Sequence, residues 1–129
     1  MPTSDSVLLV EDDGDTREMM AAWLRGEGYR VQEACDGQEA LKALDLEIPC
    51  AMVVDLHMPV MDGAELRRRQ LRSAAFAGVP FILVSASSES ARIGRELHVA
   101  DIIPKPFDAE RLLAVLATHC QCHPVLQSK

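Results

Sequence analysis

Four short apolar runs, each stopping at a polar group of a different chemical kind, restrict this chain more than any other feature. Val7 to Val10 gives way to Glu11 and Asp12, Ala51 to Val54 to Asp55, Phe81 to Val84 to Ser85, and Ile102 to Pro104 to Lys105. Unbroken apolar runs of this length fit strands covered on both faces, because a strand with one wet face alternates apolar and polar residues. Between the runs lie stretches whose apolar residues recur three and four apart, the spacing of one helix face. The alternation predicts a parallel α/β sheet.

The helical stretches carry their own start and stop signals. Asp13 and Gly14 open the first, Met19, Met20, Trp23 and Leu24 form its core stripe, and Gly26 and Gly28 end it before a second strand, Tyr29 to Ala34. Asp36, with Glu39 three residues on, resembles a capping box for a helix that buries Ala40, Leu41 and Leu44. Pro49 precedes the strand ending at Asp55, and a loop from Leu56 to Gly63 leads to a helix with Leu66, Gln70 and Leu71 turned inward. Gly78 and Pro80 precede the fourth strand, and Ser87 to Glu89 supply the cap of a helix holding Ile93 and Leu97 on one face. The proline ending Asp101 to Pro104 suits an edge strand, and Asp108 caps a last helix with Leu112, Leu113, Val115 and Leu116 as its apolar face. Five strands alternating with five helices, joined by right-handed crossovers, most commonly give a doubly wound, five-stranded parallel sheet of order 2-1-3-4-5, the flavodoxin-like (βα)5 form.

The 129 residues fit one domain, with a core from about 7 to 118 and a tail from 119 to 129. Met1 favours a complete chain, with no room for an appended output module. No apolar run approaches the roughly 20 residues of a membrane span, and Met1 to Ser6 lacks the basic and apolar regions of a secretory signal. A cytoplasmic protein with no membrane partner is expected. The formal net charge of -7 argues against a nucleic-acid partner, since such binding depends on cations that neutralise phosphates. The basic cluster Arg67, Arg68, Arg69 and Arg72 reads as a solvated helix face. Cys35 and Cys50, beside apolar segments, read as reduced core or near-core thiols. His119-Cys120-Gln121-Cys122-His123 gathers four soft or borderline metal ligands, but without the paired, separated spacing of structural zinc sites, so it reads as incidental tail composition.

Ligands of open parallel sheets bind at the carboxyl ends of the strands, and the order 2-1-3-4-5 makes the first and third strands neighbours. Glu11 and Asp12 then lie beside Asp55. Three carboxylates repel one another unless a divalent cation sits among them, which points to Mg2+, with Mn2+ as a substitute, held directly by Asp12 and Asp55 and through water by Glu11. Lys105 suits one oxygen of a phosphoryl group, and the Ser85 hydroxyl with the Ala86 backbone N–H suits another. The set reads as magnesium-assisted phosphorylation of Asp55.

Val10-Glu11-Asp12, the run from Val53 through Asp55, His57 and Pro59 to Asp62-Gly63, Val84-Ser85-Ala86 and Lys105-Pro106-Phe107 together resemble the receiver domain of bacterial two-component response regulators, in its single-domain, chemotaxis-regulator-like form. The resemblance covers about Val7 to Thr118. It implies that Asp55 is the phosphoacceptor, Glu11 and Asp12 the metal-binding acids, Ser85 the switch hydroxyl and Lys105 the phosphate-sensing cation. The backbone carbonyl of His57 would complete the metal shell, and the Lys105–Pro106 bond would be cis. It further implies a sensor histidine kinase or histidine phosphotransfer protein as donor, a downstream protein target, and switched interactions in place of turnover on a substrate. A weak homodimer through the fourth and fifth helices is compatible with the sequence.

Two departures bear on the switch. Ile102 stands where receivers commonly carry Tyr or Phe, and Pro104 stiffens the segment before Lys105. His57 and Ser87 occupy positions that in the family flank the path of attacking water. The competing readings are a degenerate receiver that docks without phosphorylation, a phosphorelay intermediate, the receiver portion of a hybrid histidine kinase, and a phosphatase of the haloacid dehalogenase type. The last needs a second acid where this chain has His57.

Overall fold

The computed structural model describes residues 6–86, 88–105 and 108–120. Strands β1 (Ser6–Val10), β2 (Arg30–Ala34), β3 (Ala51–Asp55), β4 (Phe81–Ser85) and β5 (Asp101–Pro104) alternate with helices α1 (Gly14–Gly26), α2 (Gly37–Leu46), α3 (Gly63–Leu71), α4 (Ser90–Leu97) and α5 (Ala109–His119). All neighbouring strands are parallel, in the order β2-β1-β3-β4-β5. This is the doubly wound arrangement expected from the alternation.

Side-chain alternation along each strand builds two cores. Leu8, Val10, Met52, Val54 and Leu83 face α2, α3 and α4, where Ala40, Leu44, Leu66 and Leu97 meet them. Val7, Leu9, Val53, Ile82 and Ile103 face the other way, toward Met20 and Leu24 of α1 and Leu112 and Leu116 of α5. Because both faces are covered, β1, β3 and β4 are buried throughout, which accounts for their unbroken apolar sequences. The register sets Val10 across from Val54, Asp55 across from Val84, and Ser85 across from Pro104. The polar residue that ends each run is thereby delivered to one rim of the sheet.

Aspartates start four of the five helices. Asp13, Asp36, Asp62 and Asp108 accept the backbone N–H of Thr16, Glu39, Glu65 and Arg111 at 2.9, 2.9, 2.9 and 3.1 Å. The Glu39 carboxylate reaches back to the Cys35 N–H at 2.8 Å, a capping box displaced by one residue. At α4 the cap position falls on Glu89, which makes no side-chain cap bond; Ser87 and the Lys105–Pro106 bond involve residues outside those described. The sheet margins are β2 and β5. Arg25 Nη2 donates to the Val31 carbonyl at 2.9 Å, and β5 ends in Pro104, as an edge strand allows.

Several expectations are corrected. Met19 is 55% exposed and Leu71 43% exposed. The buried arc of α1 is filled by Met20, Ala21 and Leu24, which leaves position 19 outside it. At the end of α3 the inward place goes to Gln70, whose amide donates to the Phe76 and Val79 carbonyls at 3.0 and 2.9 Å. Arg67 is not part of a solvated face but buried. Its guanidinium donates to the Leu97 and His98 carbonyls at 2.9 and 2.7 Å and to Gln70 Oε1 at 2.8 Å, and it lies 5.4 Å from the centre of the Phe81 ring. The end of α4, closed by His98 in a left-handed conformation with φ 54°, supplies the acceptors that a charge run in the sequence could not reveal.

Cys50 is likewise not a reduced thiol. It forms a disulfide with Cys120, 70 residues further on, whereas Cys35 is free and half-buried. With its sulfur so engaged and buried, Cys120 is no thiolate ligand for a metal in the 119–123 segment, whose residues 121–123 lie outside those described.

Candidate functional site

Glu11 follows β1 and is only 3% exposed. Its backbone is fixed on both sides, the N–H donating to the Ala34 carbonyl at 3.0 Å and the carbonyl accepting Arg17 Nη1 at 2.8 Å. Its carboxylate accepts the Asp13 N–H through Oε2 at 3.2 Å and Lys105 Nζ through Oε1 at 3.2 Å. Asp55, the last residue of β3, is also buried and lies 3.2 Å from the same ammonium through Oδ1. Asp12 stands exposed at the rim. Carboxylate oxygens of Glu11, Asp12 and Asp55 all lie within 4.8 Å of one another.

The electrostatics follow from that crowding. Burial pushes the Glu11 carboxyl above its ordinary range, and the nearby Asp55 charge adds to the effect against the opposing bonds from Asp13 and Lys105. For Lys105, burial alone would favour the neutral amine, but Asp55 and then Glu11 outweigh it and hold the ammonium charged. Among the described residues three carboxylates face one ammonium, so negative charge outweighs positive in the pocket. Hard oxygen donors, one of them open to solvent, fit a small divalent cation that retains part of its water shell.

The loop after β3 is shaped by close contacts. A Cβ at Gly63 would lie 2.7 Å from the Asp55 backbone oxygen, so only glycine allows α3 to start this close to the end of β3. Val60 adopts a left-handed φ of 68°, unfavourable for a β-branched residue. The buried side chain of Met61 beside it packs where a Cβ at Gly37 would come within 2.6 Å of its sulfur, which pins the loop to α2.

The structure thus brings Glu11, Asp12, Asp55 and Lys105 together. Ser85 is buried at the end of β4, its carbonyl accepting the Lys105 N–H at 3.1 Å, and Ala86 follows it, exposed. His57 is exposed, two residues past Asp55. Arg17 escaped the sequence reading. It lies one turn into α1, it grips the Glu11 carbonyl and it pairs with Glu33 at 3.4 Å, a role set by the neighbouring strand that nothing around position 17 signals. Ile102 packs on α4, its Cδ1 filling the space a Cβ at Gly94 would enter at 2.6 Å.

A family model for the response regulator receiver domain matches residues 7–117. The chain is 40% identical over 109 residues to the response regulator MprA of Mycolicibacterium vanbaalenii, a match covering 84% of this chain and 47% of that protein. The same figures hold for its counterpart in Mycobacterium leprae, so the chain spans about half the length of these curated relatives. Among solved structures, the receiver domain of sensor histidine kinase PA1611 from Pseudomonas aeruginosa PAO1, described with a magnesium ion coordinated in its active site cleft, superposes with a TM-score of 0.84 at 26% identity, covering 92% of this chain and 99% of that one. The Vibrio cholerae chemotaxis protein CheY4 superposes at 0.82 with 28% identity, over 92% and 99% of the two chains.

Proposed function

Because the chain belongs to the response regulator receiver domain family, we propose that it is a phosphoacceptor in a two-component or phosphorelay pathway. Asp55 takes the phosphoryl group from a sensor histidine kinase or a histidine phosphotransfer protein, and the resulting acyl phosphate switches docking to a downstream protein target. The observation that carries this reading is the Lys105 ammonium, set 3.2 Å from both Glu11 and Asp55 in a pocket with Asp12.

In the transfer, an Asp55 oxygen attacks phosphorus, the P–N bond to the donor imidazole breaks, and its electron pair stays on that nitrogen, which takes up a proton. Glu11, Asp12, Asp55 and the His57 backbone carbonyl are the groups that would hold Mg2+, or Mn2+ in its place, which when bound supplies the positive charge that lets an anionic nucleophile meet an anionic donor. Lys105 pairs with one phosphoryl oxygen as it turns from Asp55, and the Ser85 hydroxyl with the Ala86 N–H donates to another. Burial of Glu11 and Asp55 limits the water that would otherwise screen these contacts. The chain's part is placement and charge, and it acts as a signalling acceptor in the cytoplasm, with residues 1–129 as one receiver domain.

Incubation with acetyl phosphate and Mg2+ tests the proposal. Intact mass should rise by one phosphoryl group in the wild type and not in Asp55→Asn, and the label should fail to form in excess chelator. A wild type that never takes the label would leave a receiver that docks without phosphorylation. The likeness to the receiver of a sensor histidine kinase supports a second reading, in which this chain is the receiver portion of a hybrid kinase.

A further inference from the structure

We propose that the Cys50–Cys120 disulfide is a thiol-controlled latch on the last helix, opened by a dithiol reductant and closed by exchange with a disulfide oxidant, which gives the protein an input separate from the acidic pocket. Cys50 stands just ahead of β3, where its N–H donates to the Ser6 carbonyl at 2.8 Å. Cys120 closes α5, its N–H donating to the Leu116 carbonyl at 2.7 Å. The bond therefore ties the end of α5 to the rim of the sheet opposite the pocket. Asp55 lies five residues up the same strand, about 16 Å away at the usual strand rise.

Among the described residues, little else holds the final turn of α5. Asp108 and the 3.1 Å Arg111–Asp101 ion pair secure the start of the helix, and Leu112 and Leu116 bury its middle. Beyond Leu116 the one fully buried side chain among the described residues is Cys120. Cutting the disulfide removes the covalent anchor of a turn that otherwise presents Thr118 to solvent, and helix ends without tertiary anchors fray.

The chemistry balances as ordinary exchange. A reductant thiolate attacks Cys120 Sγ, the S–S bond breaks, and Cys50 leaves as a thiolate that takes a proton. The second thiol of the reductant then displaces Cys120, which is protonated in turn, and the reductant departs as a disulfide. Cys50 and Cys120 are 4% and 1% exposed, so attack follows opening of the last turn. Cys35 does not compete, since its thiol donates to Glu39 and lies beside Asp36, which disfavours the thiolate.

The test uses the full chain in a Cys35→Ser, Cys122→Ser background, so that only this pair reacts. After treatment with glutathione disulfide, alkylation under denaturing conditions should modify neither Cys50 nor Cys120, and after dithiothreitol it should modify both. Hydrogen exchange in peptides from α5 should speed up by about fivefold or more on reduction while peptides from β1 and β3 keep their rates. Free thiols at both positions after oxidation would overturn the proposal. So would unchanged exchange in α5, or acceleration spread evenly over the sheet, which would make the bond a general staple. Cys50→Ala/Cys120→Ala provides a second check, since it should show the reduced pattern whether or not dithiothreitol is present.

Discussion

Lys105 Nζ stands 3.2 Å from Asp55 Oδ1, so the carboxylate proposed as phosphoacceptor is ion-paired with an ammonium in this structure. In the proposed function, the ammonium and a divalent cation would compete for the negative charge of Glu11 and Asp55. Lys105→Ala is therefore expected to tighten Mg2+ binding about fivefold, equivalent to about 1 kcal/mol for one partly screened charge. Isothermal titration calorimetry measures this, and weaker binding in the variant would contradict competition.

Gly63→Ala should damage both stability and the site. The added carbon meets the Asp55 backbone oxygen at 2.7 Å, and backbone cannot swing aside as a side chain tip can. A loss of about 1–3 kcal/mol in urea denaturation is expected, with slower acetyl phosphate labelling of Asp55. Wild-type values for both would mean that the loop yields without cost.

Arg67→Met keeps the aliphatic volume but removes the donors to Leu97, His98 and Gln70. Leaving buried acceptors unpaired should cost about 3 kcal/mol. Arg67→Lys should rescue little, because one ammonium on a flexible stem does not reproduce the planar fork. Equal denaturation midpoints for wild type and Arg67→Met would remove the argument that this side chain ties α3 to the end of α4.

Tyr29 is the sole tyrosine of the chain and is buried. Burial, and secondarily the charge of Glu27, pushes its hydroxyl up to about 12, against about 10 in an unfolded chain. The folded state holds this proton more tightly. The resulting stability is fully present below the unfolded value and is lost as pH rises through about 12. Ultraviolet titration of the folded protein should place tyrosinate formation near 12, and ionisation at the ordinary phenol value would show that water reaches the ring.

His57 is exposed two residues beyond Asp55, a position that the receiver resemblance sets beside the path of water to the proposed acyl phosphate. His57→Asn should change the decay rate of the phosphorylated protein by about threefold or more, a modest share of what a positioned imidazole contributes. Decay followed by intact mass at several times after donor removal decides it, and an unaltered half-life would assign the imidazole to solvent.

The sheet and the acidic pocket were legible because both rest on local rules. Strands buried on two faces must be apolar throughout, and the polar residue that stops each run must emerge at the carboxyl rim, so Glu11, Asp55 and Lys105 could be assigned to one place before any distance was known. What escaped depends on partners remote in sequence. Two of the three acceptors of Arg67 lie 30 and 31 residues away, and nothing in the spacing of the four cysteines singles out Cys50 and Cys120 as the pair that bonds. Met19 shows a further limit: an apolar residue within a helical stripe is placed inward or outward by the width of the surface beneath it.

Among the described residues, both flanks of the sheet are interrupted as templates for strand addition. On one, a guanidinium from α1 already occupies a β2 carbonyl; on the other, the four-residue β5 stops at a proline, which has no N–H to offer. A foreign peptide meets a broken row of donors and acceptors on each side, which disfavours the edge-to-edge accretion that seeds fibrils.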